Sequence, residues 1–285
     1  MGFERAPFFC THMARGIFMK MIKKAFSCIC LALLFFVGCR DNRDITEVDR
    51  FDLISEKLNN LTNEALVVFD VDEVLIAPKD PFFNARSIRD QFWMAYYFIL
   101  KTGDLFLSRA IDFYENGLFT TEHVLVEKQI PEAIKRLQGR GVRVIALTSC
   151  PTGPHKKIGR IEDWRIKHLQ SFGIDFSKSF SAHNNISFPE LSKQRPPLFK
   201  DGILFANRET KKGPLLRAFL EKIKWTPKFV VFVDDERRNA ISVKREMDQS
   251  GVENIVFKYT AADKFIKNIS RQEIKENVTL LLKEA

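Results

Sequence analysis

Apolar residues along the 285-residue chain fall into two rhythms. Ala65–Asp70, Val142–Leu147 and Phe229–Val233 are continuous apolar runs closed by polar residues, and they read as strands buried on both faces. Gly202–Ala206 and Asn254–Tyr259 are shorter runs of the same kind. Between the runs the apolar positions recur at helical spacing. Val48, Phe51, Leu53, Ile54, Leu58 and Leu61 predict an amphipathic helix over Ile45–Leu61, preceded by a polar tether at 40–48. Further helices are expected from Ile130, with Pro131 in the first turn, to Gly139, and over Ile161–Ser171, Gly213–Lys224, Glu236–Gln249 and the C-terminal stretch. The polar, Pro-containing stretch from Ser171 to about Asp201 carries no element signal. Strands alternating with helices predict an α/β fold, a parallel sheet with helices on both faces.

One segment interrupts the alternation. Residues 79–130 carry two aromatic-rich stretches, Ile88–Lys101 and Leu105–Tyr114, separated by Thr102-Gly103, and predict a small helical insertion. Phe92, Trp93, Tyr96, Tyr97 and Phe98 within it pack the insertion onto the core or form an aromatic wall for a ligand.

The N-terminus reads as a processing segment. Lys20, Lys23 and Lys24 precede the apolar stretch Ala25–Val37, too short to span a bilayer, and Gly38-Cys39 follows. Phe36-Val37-Gly38-Cys39 resembles a bacterial lipobox, with Phe36 where Leu is usual and Cys39 as the lipidated residue. Residues 1–39 are thus expected to be a signal and lipobox segment, with translation starting at Met19 or Met21 and 1–18 then untranslated. Residues 40–285 form the folded domain. The resulting expectation is an exported protein, lipid-anchored to the cell envelope on its periplasmic or outer-membrane side.

Charge and cysteines narrow the chemistry. The net charge is +9, of which residues 1–38 hold Arg5, Arg15, Lys20, Lys23 and Lys24 against Glu4. The remaining excess is scattered, without Lys/Arg blocks or Arg-aromatic interleaving, so nucleic-acid binding is not expected and an anionic substrate is favoured. Beyond Cys39 only Cys150 remains, which excludes an intrachain disulfide in the mature chain. His12, His123, His155, His168 and His183 are widely spaced and read as surface or packing residues.

Three of the strands end in polar residues: Asp70 and Asp72, Thr148 and Ser149, Asp234 and Asp235. Ligands bind outside the carboxyl ends of strands in open α/β sheets, so these residues converge on one crevice, and Lys211-Lys212-Gly213 adds a cation. Asp70 and Asp72 alone suit a Mg²⁺ site, a nucleophile beside an acid/base, or a solvated acidic turn. The combination suits phosphoryl transfer: a carboxylate nucleophile, a second carboxyl to move protons, a hydroxyl and a lysine for phosphoryl oxygens, and further carboxylates for Mg²⁺.

In this order the segments resemble the motifs of the haloacid dehalogenase-like hydrolase superfamily. Asp70-Val71-Asp72-Glu73-Val74-Leu75 matches the first motif, Val144–Thr148 the second, Lys212 with its Lys-Gly-x-x-Leu setting the third, and Phe229–Asp235 the fourth. The resemblance implies a Rossmann-like α/β fold with a small helical cap between the first and second motifs. It makes Asp70 the nucleophile and a Mg²⁺ ligand, and Asp72 the general acid/base whose main-chain carbonyl also binds the metal. Thr148 and Lys212 hold phosphate, and Asp234 and Asp235 complete the Mg²⁺ site. Glu73 departs from the small or neutral residue frequent at its position. Cys150 is expected to be a small packed residue, and Arg237 and Arg238 to lie on a helix surface. An aspartate two positions after the nucleophile marks phosphatases among these proteins, and the exported setting is similar to that of lipoprotein acid phosphatases. The expected activity is hydrolysis of a phosphorylated small molecule. Phosphotransfer to another acceptor, or a non-catalytic envelope interaction protein on the same scaffold, are the alternatives.

Overall fold

The computed structural model describes residues 45–84, 88–104 and 107–284. The signal, lipobox and start-site expectations lie outside these residues. The central sheet has eight strands in the order β1 (Ile45–Val48), β12 (Glu253–Tyr259), β11 (Phe229–Asp234), β2 (Ala65–Phe69), β5 (Arg143–Thr148), β10 (Ile203–Phe205), β9 (Leu198–Lys200) and β8 (Ile186–Ser187). Pairing is parallel from β1 to β10, and β9 is antiparallel to both its neighbours. This is the Rossmann-like α/β fold with an antiparallel margin.

Strand periodicity builds two cores. In β2, Val67 and Phe69 face one side with Val144, Ala146, Val231 and Val233, where helices α1 (Phe51–Leu58), α4 (Ile130–Gly139) and α5 (Ile161–Ser171) cover them. Leu66 and Val68 face the other side with Ile145, Leu147, Val230 and Phe232, under α6 (Lys212–Lys222) and α7 (Arg237–Gln249). Alternate residues therefore reach opposite faces, and both faces are buried.

The chain before β2 departs from the single helix expected over Ile45–Leu61, and residues 45–48 depart from the tether expected over 40–48, whose first part lies outside the described residues. Ile45–Val48 is an edge strand, paired with Val256–Tyr259, and the helix begins only at Phe51. Three β-branched residues, Ile45, Thr46 and Val48, and a free sheet edge outweigh the helical spacing there. Residues 76–125 form the insertion: strands β3 (Ile76–Pro78) and β4 (His123–Leu125) pair antiparallel at its base, and helices α2 (Ile88–Thr102) and α3 (Leu107–Thr120) lie beyond. The C-terminal helix α8 (Arg271–Glu284) joins this layer, and Phe82, Phe83, Met94 and Phe98 pack with Ile269, Ile274 and Val278. Among the aromatic residues of α2, Phe98 is buried, whereas Phe92 and Tyr96 are exposed. No described helix is long and apolar enough to cross a membrane.

Candidate active site

The carboxyl ends of β2 and β11 are adjacent, and the Asp70 N–H extends their ladder by donating to the Val233 carbonyl at 2.9 Å. Asp70 and Asp234 have the strand parity that faces α6. At the first turn of α6 the buried Lys212 reaches between them, with Nζ 2.8 Å from Asp70 Oδ2 and 2.7 Å from Asp234 Oδ2. The next residue explains how the lysine gets so close. A Cβ on Gly213 would meet the Ser242 carbonyl oxygen of α7 at 2.1 Å, so glycine lets α6 lie against α7. The Gly213 N–H also donates to Ser242 Oγ at 3.1 Å.

Asp234 is fixed further by Glu236 N–H at 2.8 Å and Asn239 Nδ2 at 3.1 Å, both donating to Oδ1. Asp235 completes the cluster: Asp70, Asp234 and Asp235 each offer a carboxylate oxygen within 4.8 Å of the others. Three carboxylates gather around one ammonium in a largely buried space. An all-oxygen donor set of this kind fits Mg²⁺, which prefers carboxylate oxygens and tolerates few protein ligands. Burial pushes the Asp70 carboxyl well above the usual carboxylate range; Lys212 opposes this, and Asp234 and Asp235 reinforce it. Burial also works to lower the Lys212 ammonium, but Asp234 and Asp70 outweigh it and hold the group above its ordinary range.

Thr148 ends β5, the other neighbour of β2, and is buried. Its Oγ1 accepts the Cys150 N–H at 3.0 Å. The loop beyond is tied down by Asn207, a buried residue with φ 53°. Asn207 Oδ1 accepts the Thr152 N–H at 2.6 Å, and its Nδ2 donates to the Pro196 carbonyl at 2.8 Å.

Asp72 stands apart from the lysine-centred cluster. Its side chain is 44% exposed and lies 3.1 Å from Nη2 of Arg165, a residue of α5 whose side chain is 6% exposed. Glu73 follows in the left-handed region, φ 62°, with its N–H donating to the Ile76 carbonyl at 2.7 Å. That conformation favours glycine and costs another residue about 1 kcal/mol. Glu73 carries that backbone cost at the turn after β2. Cys150 is buried, and burial first, against the opposing Arg165, pushes its thiol up to about 11, so it is an unreactive packing residue at neutral pH. Arg237 and Arg238 are exposed, and Arg238 pairs with Glu236 at 2.5 Å.

His123 and His168 meet beside this site despite their separation in the chain, ring centroids 4.8 Å apart. Burial, Arg165 and His123 together lower His168 to about 4, against the opposing Asp72. The folded state therefore disfavours a proton that the unfolded chain takes up near 6.5. The associated stability is fully present above that value and is lost as pH falls toward about 4. Urea midpoints of the wild type are expected to fall more between pH 7 and pH 4.5 than those of a His168→Phe protein. Equal falls would remove His168 from the acid response.

Three contributors had no place in the sequence reading: Arg165, Asn207 and Asn239. Arg165 was detectable, because Ile161, Arg165 and Leu169 share one face of a helix whose other two members are apolar. Asn207 and Asn239 gave no comparable signal.

Comparison with known proteins yields relatives and structural likenesses. An "Uncharacterized protein" of Rickettsia bellii is 24% identical over 235 residues, spanning 79% of this chain and 78% of its own. "Uncharacterized protein RP296" of Rickettsia prowazekii is 23% identical over 221 residues, 78% of each chain. A HAD-superfamily hydrolase, subfamily IA, variant 1, from Geobacter sulfurreducens aligns with TM-score 0.39 and 15% identity, over 73% of this chain and 99% of that one. Residues 47–281 match the family model described as "Protein of unknown function (DUF2608)", and the chain belongs to that family.

Proposed function

We propose that the chain is a haloacid dehalogenase-like phosphohydrolase, a Mg²⁺-dependent phosphomonoesterase that works through an aspartyl-phosphate on Asp70. The observation that carries this reading is the Lys212 ammonium bridging Asp70 and Asp234, with Asp235 in the same cluster, at the carboxyl ends of parallel strands. A buried carboxylate in that position is costly as structure and useful as a nucleophile.

In the first half-reaction an Asp70 oxygen bonds to phosphorus as the bond from phosphorus to the leaving oxygen breaks. Asp72 gives its proton to that oxygen. In the second, Asp72 takes a proton from water, whose oxygen bonds to phosphorus and releases Asp70. Thr148 donates to a phosphoryl oxygen, and Lys212 offsets charge on the same group. Asp70, Asp234, Asp235 and the Asp72 main-chain carbonyl would hold Mg²⁺, which supplies further neutralisation of the phosphoryl oxygens. We also infer export and lipid attachment at Cys39, on the lipobox resemblance alone.

The test is the full-length chain in detergent, assayed for phosphate release over a panel of aryl and alkyl phosphate esters. Turnover in millimolar Mg²⁺ that disappears with EDTA is expected. Absence of release across the panel would overturn the proposal.

A further inference from the structure

Arg165 is the strongest feature left without a role. Its guanidinium is buried, and burying such an ion costs several kcal/mol unless its donors are well used. They are not. Nη2 makes both contacts to Asp72, 3.1 Å to Oδ1 and 3.3 Å to Oδ2, and a weak one to Cys150 Sγ at 3.9 Å. Nε and Nη1 are buried with no hydrogen-bond partner among the described residues. Its one ion pair among the described residues is therefore with a carboxylate that is itself nearly half exposed. As a structural link this is a poor exchange, since an apolar side chain of the same length would fill the space without stranded donors.

The surroundings hold the arginine still. It projects from the buried face of α5 between Ile161 and Leu169, with its guanidinium carbon 5.0 Å from the Trp164 ring centre. The start of α5 is fixed by the buried Glu162, which accepts the Gly153 N–H at 2.8 Å and the Arg160 Nε–H at 2.6 Å. A rigid cation thus meets the one proposed catalytic side chain that stands on a turn outside the lysine-centred cluster.

We propose that Arg165 is a positioning residue for Asp72, aiming the acid/base and favouring turnover of esters with poor leaving groups. This rests on the phosphohydrolase reading above. Two contacts from one buried nitrogen fix the direction of the Asp72 carboxyl, which proton transfer to the leaving oxygen requires. Esters of acidic phenols need little proton donation and gain little from it, whereas alkyl esters depend on it.

The experiment compares kcat and KM of the full-length wild type, Arg165→Met, Arg165→Lys, Asp72→Asn and the double variant Asp72→Asn/Arg165→Met. Substrates are p-nitrophenyl phosphate and an alkyl phosphate that the wild type turns over. Arg165→Met is expected to lower kcat on the alkyl ester by about 10-fold or more and on the aryl ester by under about 3-fold, with KM unchanged. Arg165→Lys should recover part of the loss, and in the Asp72→Asn background Arg165→Met should have no further effect. Should Arg165→Met fail to fold, the alkyl-to-aryl ratio of Arg165→Lys gives the same reading. Equal losses on both esters, or additive effects in the double variant, would show a merely structural arginine. Impaired Asp72→Asn beside an unchanged ratio in Arg165→Met would overturn this inference alone. A wild type without phosphate release would take the phosphohydrolase reading down with it.

Discussion

Lys212→Met is expected to destabilise the fold by about 3–5 kcal/mol, the usual cost of leaving buried charge without its partner. The side chain is 1% exposed and bridges Asp70 and Asp234, so its removal leaves both carboxylates facing each other and Asp235. Methionine keeps nearly the same length, which separates the loss of charge from the loss of volume. Millimolar Mg²⁺ should restore part of the stability, because a cation among the carboxylates replaces some of the missing charge. Urea unfolding of the variant with and without Mg²⁺ measures both effects. A loss under about 1 kcal/mol would mean that the cluster is better solvated than its burial implies.

Asp70→Asn should act in the opposite way, with a large effect on activity and a small one on stability. The substitution keeps the shape of the side chain and the acceptor for the Val71 N–H, which Asp70 Oδ1 accepts at 2.7 Å. It weakens the contact to Lys212 and removes one carboxylate from beside Asp234 and Asp235. These changes offset each other, and the net effect on unfolding is expected to stay within about 1–2 kcal/mol. Phosphate release should fall by at least about 10³-fold, since an amide is no nucleophile toward phosphorus. Thermal melts beside the kinetics distinguish this outcome from simple misfolding. A variant that unfolds along with losing activity would point to a structural aspartate.

Most of this arrangement was legible in the chain because it follows from order. Asp70, Thr148, Lys212 and Asp234 each follow an apolar run or open a helix, and parallel topology brings such ends to one edge. The parts that were not legible have local causes. Ile45–Val48 carries apolar spacing compatible with a helix, and only the partner strand at Val256–Tyr259 decides otherwise. β3, β4, β8 and β9 are two or three residues long, too short for any period to show. The pairing of Asp72 with Arg165 joins residues 93 positions apart and needs the helix to be docked before it exists. The left-handed turn at Glu73 is a property of the backbone that the residue type does not announce.

The central claim is that Asp70 attacks phosphorus in a Mg²⁺-dependent hydrolysis. The most direct measurement is phosphate release from one ester by wild type and Asp70→Asn side by side, each in Mg²⁺ and in EDTA. The account predicts release only by the wild type in Mg²⁺. Release by folded Asp70→Asn at a rate near the wild type's would contradict it.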